Sequence, residues 1–423
     1  MSLRRRARHL FNRLRANQRM SSTASALPSP QIEISEVTHL LGRASPIERP
    51  RLNLLLPTLK EEHVFGGIMT ALQFFLALAG QDEDARIILS DQGEYAQITV
   101  DLLRGWHVCD ADTEDAGGRL IVPFASRGYR TLPVRRADVF VATAWWTAYV
   151  LQRLLPWQAQ AYAQPPHSLV YLVQDHEPGF YPLSTRHVLA QSTYEYPQPM
   201  IGVFNTGLLR DFFEARGYRF SGRYAFEPQL NPVLADHHRR ARSFSKRRQL
   251  ILYGRPGVPR NAFELVCQGV RHWSAIDPAA ELWRILSLGE PHGDIGLHHG
   301  LHIVSRGKLD LHEYARTLSE SAIGVSLMLS PHPSYPPLEM AEFAVQTITN
   351  AFANKDLGIL SPNIHSLRTV TPEAIGERIR DLAAPFAASD TTLVAPPTRS
   401  LFSPKGATFP FIPSLRAELG LPE

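Results

Sequence analysis

The stretch QLILYGRPGVPRNAFELVCQGVRHW, residues 249–273, predicts a buried strand, a glycine-bounded turn and an amphipathic helix. Short apolar runs and helix-length segments of the same kind alternate through the rest of this half of the chain. The predicted strands lie at 281–289, 301–309, 322–330 and 347–352, and the predicted helices at 310–321, 336–345 and 371–384. This alternation is typical of a parallel sheet that helices cover on both faces.

The same alternation fills the chain before this stretch. The predicted strands there lie at 51–59, 85–91, 119–124, 137–146, 168–175, 199–205 and 222–228. A polar and basic run at 235–248 interrupts the pattern, which predicts a linker between two halves. We therefore predict an α/β protein with two Rossmann-like domains whose parallel sheets face each other across a cleft.

Four segments follow from this reading. We predict a basic N-terminal extension at 1–50, a first Rossmann-like domain at 51–240, a second at 249–390, and a tail at 391–423 that can pack back on the first domain. In open parallel sheets, ligands bind beyond the carboxyl ends of the strands. Functional residues are therefore expected in the loops that follow strands.

Composition narrows the class of protein. The chain has 423 residues, 44% of them hydrophobic and 20% charged, which is typical of globular domains. Its longest apolar segment, residues 68–80, is too short to span a membrane. Cys109 and Cys267 are too few for a disulfide framework or a zinc site, and this favours a reducing, cytoplasmic setting.

Charge is concentrated at the start of the chain. Residues 1–20 hold seven of the 44 Lys and Arg and no acid, so 37 basic residues remain against 40 acidic ones. The body therefore lacks the basic footprint of a nucleic-acid-binding domain, and we expect no nucleic-acid partner. The basic start itself fits a mobile arm, a contact with anionic lipid, or an organelle transit peptide.

Two strand-exit loops of the first half carry candidate site residues. Gly66 and Gly67 stand where a loop enters a helix, and free N–H groups at such a start attract anions. Asp175 and His176 follow a fully apolar strand, where polar side chains commonly face a cleft. A tight turn and a structural histidine remain the alternatives at these two places.

The second half offers two cations in comparable positions. Arg255 and Lys308 each follow a predicted strand and a glycine, and the chain has only five lysines. Two cations at neighbouring strand ends suit a diphosphate, which arginine grips bidentately and lysine binds as a point charge. The alternative is a pair of solvated surface cations.

The segment SPHPSYPPLEMAEF, residues 330–343, is a proline-rich loop that leads into a helix. Glu339 stands near the predicted helix start, where an acid could simply stabilise the helix dipole. The histidine-rich run at 290–302 lacks a regular ligand spacing, so we expect no metal site there.

Together, the segments at 254–265, 306–328 and 330–350 resemble the C-terminal half of GT-B glycosyltransferases of family 4. Within that family the chain resembles the WsaF-type rhamnosyltransferases, which use dTDP-rhamnose. The resemblance spans roughly residues 50–390, and the segments around Tyr335 and Asp175 are its most specific parts.

The resemblance implies a role for each candidate residue. The second domain would bind the nucleotide sugar and the first the acceptor. The donor diphosphate would contact Arg255 and Lys308 from one side and Gly66 and Gly67 from the other. The nucleotide-sugar pocket would be formed by Ser334, Tyr335 and Glu339, with Glu339 holding a ribose hydroxyl. Asp175 and His176 would lie beside the donor sugar and the acceptor and would act in catalysis together with Arg255 and Lys308.

One position departs from the family pattern. Family-4 enzymes carry two glutamates eight positions apart; Glu339 matches the second, but Pro331 stands at the first. The resemblance thus leaves open how the sugar hydroxyls are held, with His332, Ser334 or backbone N–H groups as candidates.

The expected activity is retaining transfer of rhamnose from dTDP-L-rhamnose to a growing, lipid-linked polysaccharide of the rhamnan or O-antigen type. It would need no metal or other cofactor, and the enzyme would act in the cytoplasm, with peripheral contact at the inner membrane face through residues 1–20. A transferase that uses a UDP or GDP donor and a non-catalytic glycan-binding scaffold are the alternatives. A nicotinamide-dependent oxidoreductase is disfavoured, because no Gly-x-Gly-x-x-Gly follows the first strand.

Overall fold

The computed structural model describes residues 32–60, 66–80, 83–93, 100–125, 127–386, 393–395, 401–402 and 408–422. The basic residues 1–20 lie outside this set. The chain divides into two units, Met1–Thr38 and His39–Glu423. The described part of the first unit contains a single 3₁₀ turn, Ser35–Val37. Everything below concerns the second unit.

The first large sheet has eight strands within the described residues, and every pair in it is parallel. In chain order the strands of this half are β1 (Gly42–Ala44), β2 (Arg51–Leu56), β3 (Asp84–Leu89), β4 (His107–Val108), β5 (Arg119–Pro123), β6 (Leu132–Val134), β7 (Asp138–Ala142), β8 (Leu169–Val173), β9 (Met200–Asn205) and β10 (Gly222–Phe226). The sheet order is β10-β9-β8-β7-β2-β3-β5-β4, and β1 pairs with β6 apart from it.

Helices cover both faces of this sheet, so its central strands are apolar along their whole length rather than alternating. The helices of the first half are α1 (Gly67–Ala79), α2 (Trp145–Ala161), α3 (Thr185–Tyr194), α4 (Gly207–Ala215) and α5 (Pro232–Arg240). Two hydrophobic clusters, one on each side of the sheet, form the core of this domain.

The second large sheet has the order β13-β14-β12-β11-β15-β16-β17 in the described residues. Its strands are β11 (Phe244–Gly254), β12 (Arg284–Gly289), β13 (Ile295–Gly296), β14 (His302–Gly307), β15 (Ser321–Val325), β16 (Gln346–Asn350), β17 (Ile364–Leu367) and β18 (Leu393–Ala395), the last paired antiparallel with β11. The helices are α6 (Phe263–Ile276), α7 (Leu311–Glu320), α8 (Tyr335–Glu342), α9 (Pro372–Ala383) and α10 (Ile412–Glu418).

The linker predicted at 235–248 is wrong. Helix α5 runs to Arg240 and strand β11 begins at Phe244, so most of the basic run is regular structure. Lys246 is buried, and its amine donates hydrogen bonds to the carbonyl oxygens of Leu318 at 2.9 Å and Phe343 at 2.6 Å. The basic composition concealed a strand because a buried lysine was counted as a solvated one.

Two further boundaries differ from the sequence prediction. The strand predicted at 137–146 ends at Ala142, and Trp145 begins helix α2. The strand predicted at 322–330 ends at Val325, so residues 326–334 form a long loop after β15. Both predictions continued an apolar run past the end of a strand, because buried loops and helices can be as apolar as strands.

The C-terminal segment contacts the first domain. The Phe409 ring lies 5.5 Å from Phe74 of α1, edge to face, and 5.0 Å from Phe226 of β10. Arg416 of α10 forms an ion pair with Glu83 at 2.6 Å. The chain thus returns to the first sheet after completing the second.

A buried ionic cluster closes the amino end of the first sheet. Arg51 donates to both carboxylate oxygens of Asp138 at 2.9 and 2.8 Å and to Asp115 at 2.5 Å. Arg135 bonds Asp84 at 2.6 Å and Asp115 at 2.8 Å. Burial raises the pKa of Asp115, but the hydrogen bond from Arg135 and the charge of Arg51 outweigh it and hold the pKa at about 2. These charges are therefore paired with one another.

We predict that Asp138→Ala destabilises the protein by about 3–5 kcal/mol, because it leaves the guanidinium of Arg51 buried without its bidentate partner. Chemical denaturation measures the loss. Asp101→Ala is the control, since the Asp101 side chain is 94% exposed and forms an ion pair with the exposed Arg104. Equal midpoints for the two variants would contradict a structural role for the cluster.

Candidate functional site

In the middle of each sheet the strand order changes direction, and ligands bind at such switch points. The reversal lies between β2 and β7 in the first sheet and between β11 and β15 in the second. The loops that follow these strands contain Gly66 and Gly67, the start of α2, Arg255, and residues 326–334. Four of the predicted positions therefore lie at the places where a parallel sheet binds its ligand.

Asp175 joins the two domains. It follows β8 of the first sheet, and its Oδ1 accepts hydrogen bonds from the Ser330 hydroxyl in the loop after β15 and from the His176 backbone N–H, the latter at 2.8 Å. Arg260 of the second domain places its Nε 3.5 Å from the other carboxylate oxygen. Asp175 is only 6% exposed, so both domains hold its carboxylate in place.

Two cations at this junction were not predicted. Arg260 lies over the Phe180 ring at 4.1 Å. Lys355, which is fully buried, donates to the carbonyl oxygens of Met328 at 2.6 Å and His332 at 3.4 Å. Burial lowers the pKa of Lys355 to about 7, and the charge of Asp175 opposes this shift. The sequence could have indicated Lys355, because the chain has only five lysines and Lys355 follows strand β16 as Lys308 follows β14.

The ring of His176 lies among aromatic residues of the first domain. Its ring lies 5.1 Å from Phe212, 5.6 Å from Phe213 and 6.0 Å from Tyr194, all in the first domain. Burial, chiefly, lowers its pKa to about 4, so the imidazole is neutral near pH 7. An aromatic cluster therefore fixes the ring of His176, whereas the adjacent Asp175 is fixed by the second domain.

The neighbouring Glu177 has a structural function. Its carboxylate accepts from the backbone N–H of Trp145 at 2.7 Å and from the Tyr171 hydroxyl at 3.0 Å. It thereby binds the first turn of α2, and burial raises its pKa to about 8. This contact holds the loop after β8 against the loop after β7.

The proline-rich loop is closely packed. Ser334 is buried, has φ of +67°, and its N–H donates to Nδ1 of His332 at 3.0 Å. The Tyr335 hydroxyl lies 3.5 Å from the side-chain oxygen of Asn205, the last residue of β9. The loop is thus held by its own hydrogen bonds and by two contacts with the first domain, through Ser330 and through Tyr335.

Glu339 lies in the second turn of α8, because the helix begins at Tyr335. The alternative that it only stabilises the helix dipole is therefore wrong, since that effect is confined to the first turn. Its Oε2 accepts from the Tyr314 hydroxyl at 3.0 Å. Burial raises the pKa of Glu339 to about 7, against the lowering effect of that hydrogen bond.

The prediction that Arg255 and Lys308 lie at neighbouring strand ends is wrong. They follow β11 and β14, and β12 lies between these strands, which separates the two strand ends by about 10 Å. The loop after β12 supplies Glu290, whose carboxylate lies 3.1 Å from Nε of Arg255 and accepts from the Gly257 N–H at 2.8 Å. Glu290, which the sequence did not indicate, thus orients Arg255, while Lys308 is exposed.

The glycine pair begins α1 as predicted. Gly66 has φ of +52°, a conformation that favours glycine, and Gly67 is the first helical residue. A Cβ on Gly67 would lie 2.7 Å from the side-chain oxygen of Gln174, the residue before Asp175. The start of α1 therefore lies beside the Asp175 loop.

The structure brings one group of predicted residues together around the junction. Asp175 meets the loop that carries Ser334 and Tyr335, and Gly67 lies beside Gln174. In the described part of the chain, no group of three or more His, Cys, Asp and Glu side chains is arranged to hold a metal ion. Cys109 and Cys267 are both free thiols.

Comparison with known proteins gives two family matches. The N-terminal domain of WsaF matches residues 51–207, and the C-terminal domain of WsaF matches residues 248–380. The O-antigen biosynthesis protein RfbC of Myxococcus xanthus is 31% identical over 252 residues, which cover 58% of this chain and 18% of that protein. The chain thus spans less than a fifth of the length of this relative.

Solved structures with a similar course of the chain were also found. Sucrose-phosphate synthase from Thermosynechococcus elongatus is 13% identical with a TM-score of 0.46, covering 79% of this chain and 90% of its own. The trehalose-6-phosphate synthase OtsA is 11% identical with a TM-score of 0.45, covering 80% and 92%. These likenesses are weak, and the strand orders given above describe the fold without them.

The raised pKa of Glu339 predicts a pH-dependent stability. Between pH 4.5 and 7 the carboxyl ionises in the unfolded chain before it does in the folded one, so its contribution to stability is lost as the pH rises through 7. Glu339→Gln, which resembles the neutral acid, should gain about 1–3 kcal/mol relative to the native protein between pH 4.5 and 8. Urea denaturation across this range measures the gain.

The matched control is Glu377→Gln, at an exposed position of α9. This variant should show no change relative to the native protein across the same pH range. A pH-independent difference for Glu339→Gln would mean that its carboxyl titrates as it does in the unfolded chain.

Proposed function

Because this chain belongs to the WsaF family of glycosyltransferases, we propose that it transfers rhamnose from dTDP-L-rhamnose to a growing polysaccharide, with retention of the anomeric configuration. The predicted GT-B architecture, two α/β domains with parallel sheets, is confirmed. The observation that carries the proposal is the junction at Asp175, where loops at the carboxyl ends of both sheets meet. The name of RfbC, an O-antigen biosynthesis protein, supports a polysaccharide product, and we propose a lipid-linked acceptor.

We propose that the donor diphosphate binds between Arg255, Lys308 and the start of α1 at Gly66 and Gly67. Negative charge develops on the diphosphate as the glycosidic bond breaks, and fixed cations stabilise that charge best in a site from which water is excluded. Glu290 holds the guanidinium of Arg255 before the substrate arrives. Because these residues supply the positive charge, the proposed mechanism includes no metal ion or other cofactor.

We assign the nucleoside to the region beside α8. A carboxylate such as that of Glu339 accepts hydrogen bonds from sugar hydroxyls of the nucleotide. The Tyr335 ring, partly buried at the start of the same helix, offers an apolar face nearby. Asp175 and His176 are proposed to border the transferred sugar and the acceptor, with Asp175 positioned by Ser330 and Arg260.

A donor panel tests the proposal. The protein is incubated with dTDP-rhamnose, UDP-glucose, UDP-GlcNAc or GDP-mannose, in buffer with EDTA, together with an acceptor that ends in rhamnose. Transfer from dTDP-rhamnose alone is expected, and the anomeric NMR signal of the product should show retention. Transfer only from a UDP or GDP sugar would overturn the donor assignment, and glycan binding without transfer from any donor would indicate a scaffold protein.

Arg255→Ala and Lys308→Ala should each lower kcat by about 100-fold or more, the scale of losing one charge stabiliser of this kind. Steady-state kinetics with saturating donor measures the effect. Arg240→Ala is the matched control, because Arg240 is an exposed arginine whose side chain is 79% accessible on α5. Near-normal turnover in both site variants would remove these residues from the reaction.

We further propose that the enzyme acts in the cytoplasm and binds the inner membrane face through residues 1–20. No helix of the described residues is long and apolar enough to span a membrane, but seven arginines without an acid can attract anionic lipid. Deleting residues 1–20 should abolish sedimentation with phosphatidylglycerol vesicles and leave activity on a soluble acceptor intact. Vesicle binding that survives the deletion would assign the contact to another surface.

A further inference from the structure

His332 is a buried and firmly fixed histidine in the loop after β15. It is 8% exposed, and its Nδ1 accepts the hydrogen bond from the Ser334 N–H at 3.0 Å. Its carbonyl oxygen accepts from the Lys355 amine at 3.4 Å, and its ring lies 6.0 Å from the ring of Tyr335. Both the backbone and the ring of His332 are therefore held in one arrangement.

These contacts fix the tautomer of the imidazole. A nitrogen that accepts a hydrogen bond carries no proton, so in the neutral ring the proton resides on Nε2. The pKa of His332 is lowered to about 4, chiefly by burial, so the neutral ring is the form present near pH 7. His332 thus presents one N–H donor, on Nε2, and no acceptor beyond Nδ1.

That donor has no hydrogen-bond partner among the residues that the structure describes. Buried donors in folded proteins are nearly always paired, and an unpaired one costs free energy. Both ring nitrogens of His292 are paired within the chain, with Gly293 and Ser287 at 2.7 Å each. Nε2 of His238, which also lacks a hydrogen bond, lies 3.8 Å from the Glu342 carboxylate. A hydrogen bond to a bound molecule would satisfy the Nε2–H of His332.

The surroundings indicate the chemistry of that partner. Asp175, Arg260 and Lys355 all lie close enough to affect the pKa of His332, and Asp175 is bonded to Ser330, two residues earlier in the loop. Arg260 lies 3.5 Å from the Asp175 carboxylate and Lys355 donates to carbonyl oxygens, so we take the acceptor for the neutral His332 donor to be a neutral oxygen such as a hydroxyl. The position lies between Asp175 and Tyr335, which border the proposed pocket.

We propose that Nε2–H of His332 donates a hydrogen bond to a hydroxyl oxygen of the transferred sugar, and that His332 thereby contributes to the choice of sugar. This inference rests on the proposed function, since it requires a nucleotide-sugar donor. It assigns to His332 a specificity contact rather than a proton-transfer role, because the ring remains neutral. The nucleoside diphosphate part of the donor makes no use of this contact.

Two variants distinguish the proposed sugar contact of His332 Nε2 from the hydrogen bond by which Nδ1 supports the loop. In His332→Asn the amide oxygen can replace Nδ1 as acceptor for Ser334, but no group replaces Nε2–H. In His332→Gln the amide nitrogen reaches about as far as Nε2 and can restore the donor. Calorimetry without acceptor compares the affinity for dTDP with that for dTDP-rhamnose, or for whichever nucleotide sugar the native protein binds.

His332→Asn should lower the affinity for the nucleotide sugar roughly tenfold and change the affinity for dTDP less than twofold. His332→Gln should recover part of the lost affinity for the nucleotide sugar. Unchanged affinity for the nucleotide sugar, or an equal loss for dTDP, would overturn the proposal, the latter by showing a role in the loop alone. Unfolding midpoints of both variants accompany the titrations. Failure of the proposed function would appear in the native protein, which would then bind no nucleotide sugar. Failure of the inference about His332 would appear only in the variants, so the two outcomes can be distinguished.

Deoxy analogues of the nucleotide sugar identify the hydroxyl. For the native protein, the analogue that lacks the bonded hydroxyl should bind roughly tenfold more weakly than the parent. In His332→Asn the same analogue and the parent should bind equally, because the contact is already lost. The inference would also be contradicted if His332→Asn distinguished the parent from every analogue as strongly as the native protein does.

Discussion

The carboxylate of Asp175 is the group on which the arrangement of the site depends. A buried charge is tolerated only when it is paired and hydrogen-bonded, and here the partners come from the other domain, as the hydroxyl of Ser330 and the guanidinium of Arg260. The charge of Asp175 also favours the protonated form of Lys355, whose amine donates to the carbonyl oxygens of Met328 and His332. The loop after β15 is positioned through these contacts, and with it His332 and Tyr335.

The two ends of the first sheet use charge differently. At the amino end, Arg51 and Arg135 pair with aspartates in bonds of 2.5–2.9 Å, and that end of the sheet is closed. At the carboxyl end, Glu339 has a raised pKa and Nε2 of His332 has no hydrogen-bond partner in the described residues, and at the amino end one guanidinium nitrogen of the buried Arg86 likewise has none. Unpaired polar groups reduce stability at either end, and at the carboxyl end we propose that a bound ligand pairs with them.

The sequence predicted features that depend on neighbouring residues and missed those that depend on partners far away along the chain. Strands such as β2 and β8 were found because both faces are buried and each reads as a continuous apolar run. Lys246 was misread because its partners, Leu318 and Phe343, are more than 70 residues away along the chain. The same limit hid the pairing of Glu290 with Arg255 and of Arg260 with Asp175, since composition near a residue says nothing about a partner brought by the fold.

The departure at Pro331 gains a physical meaning from the residue beside it. The glutamate that family-4 relatives carry at this position would offer acceptors to sugar hydroxyls, and proline offers neither donor nor acceptor on its side chain. One residue later, His332 is held as a neutral ring with its N–H on Nε2. In the site as we propose it, His332 offers the transferred sugar an N–H donor at a place where a glutamate would offer only acceptors.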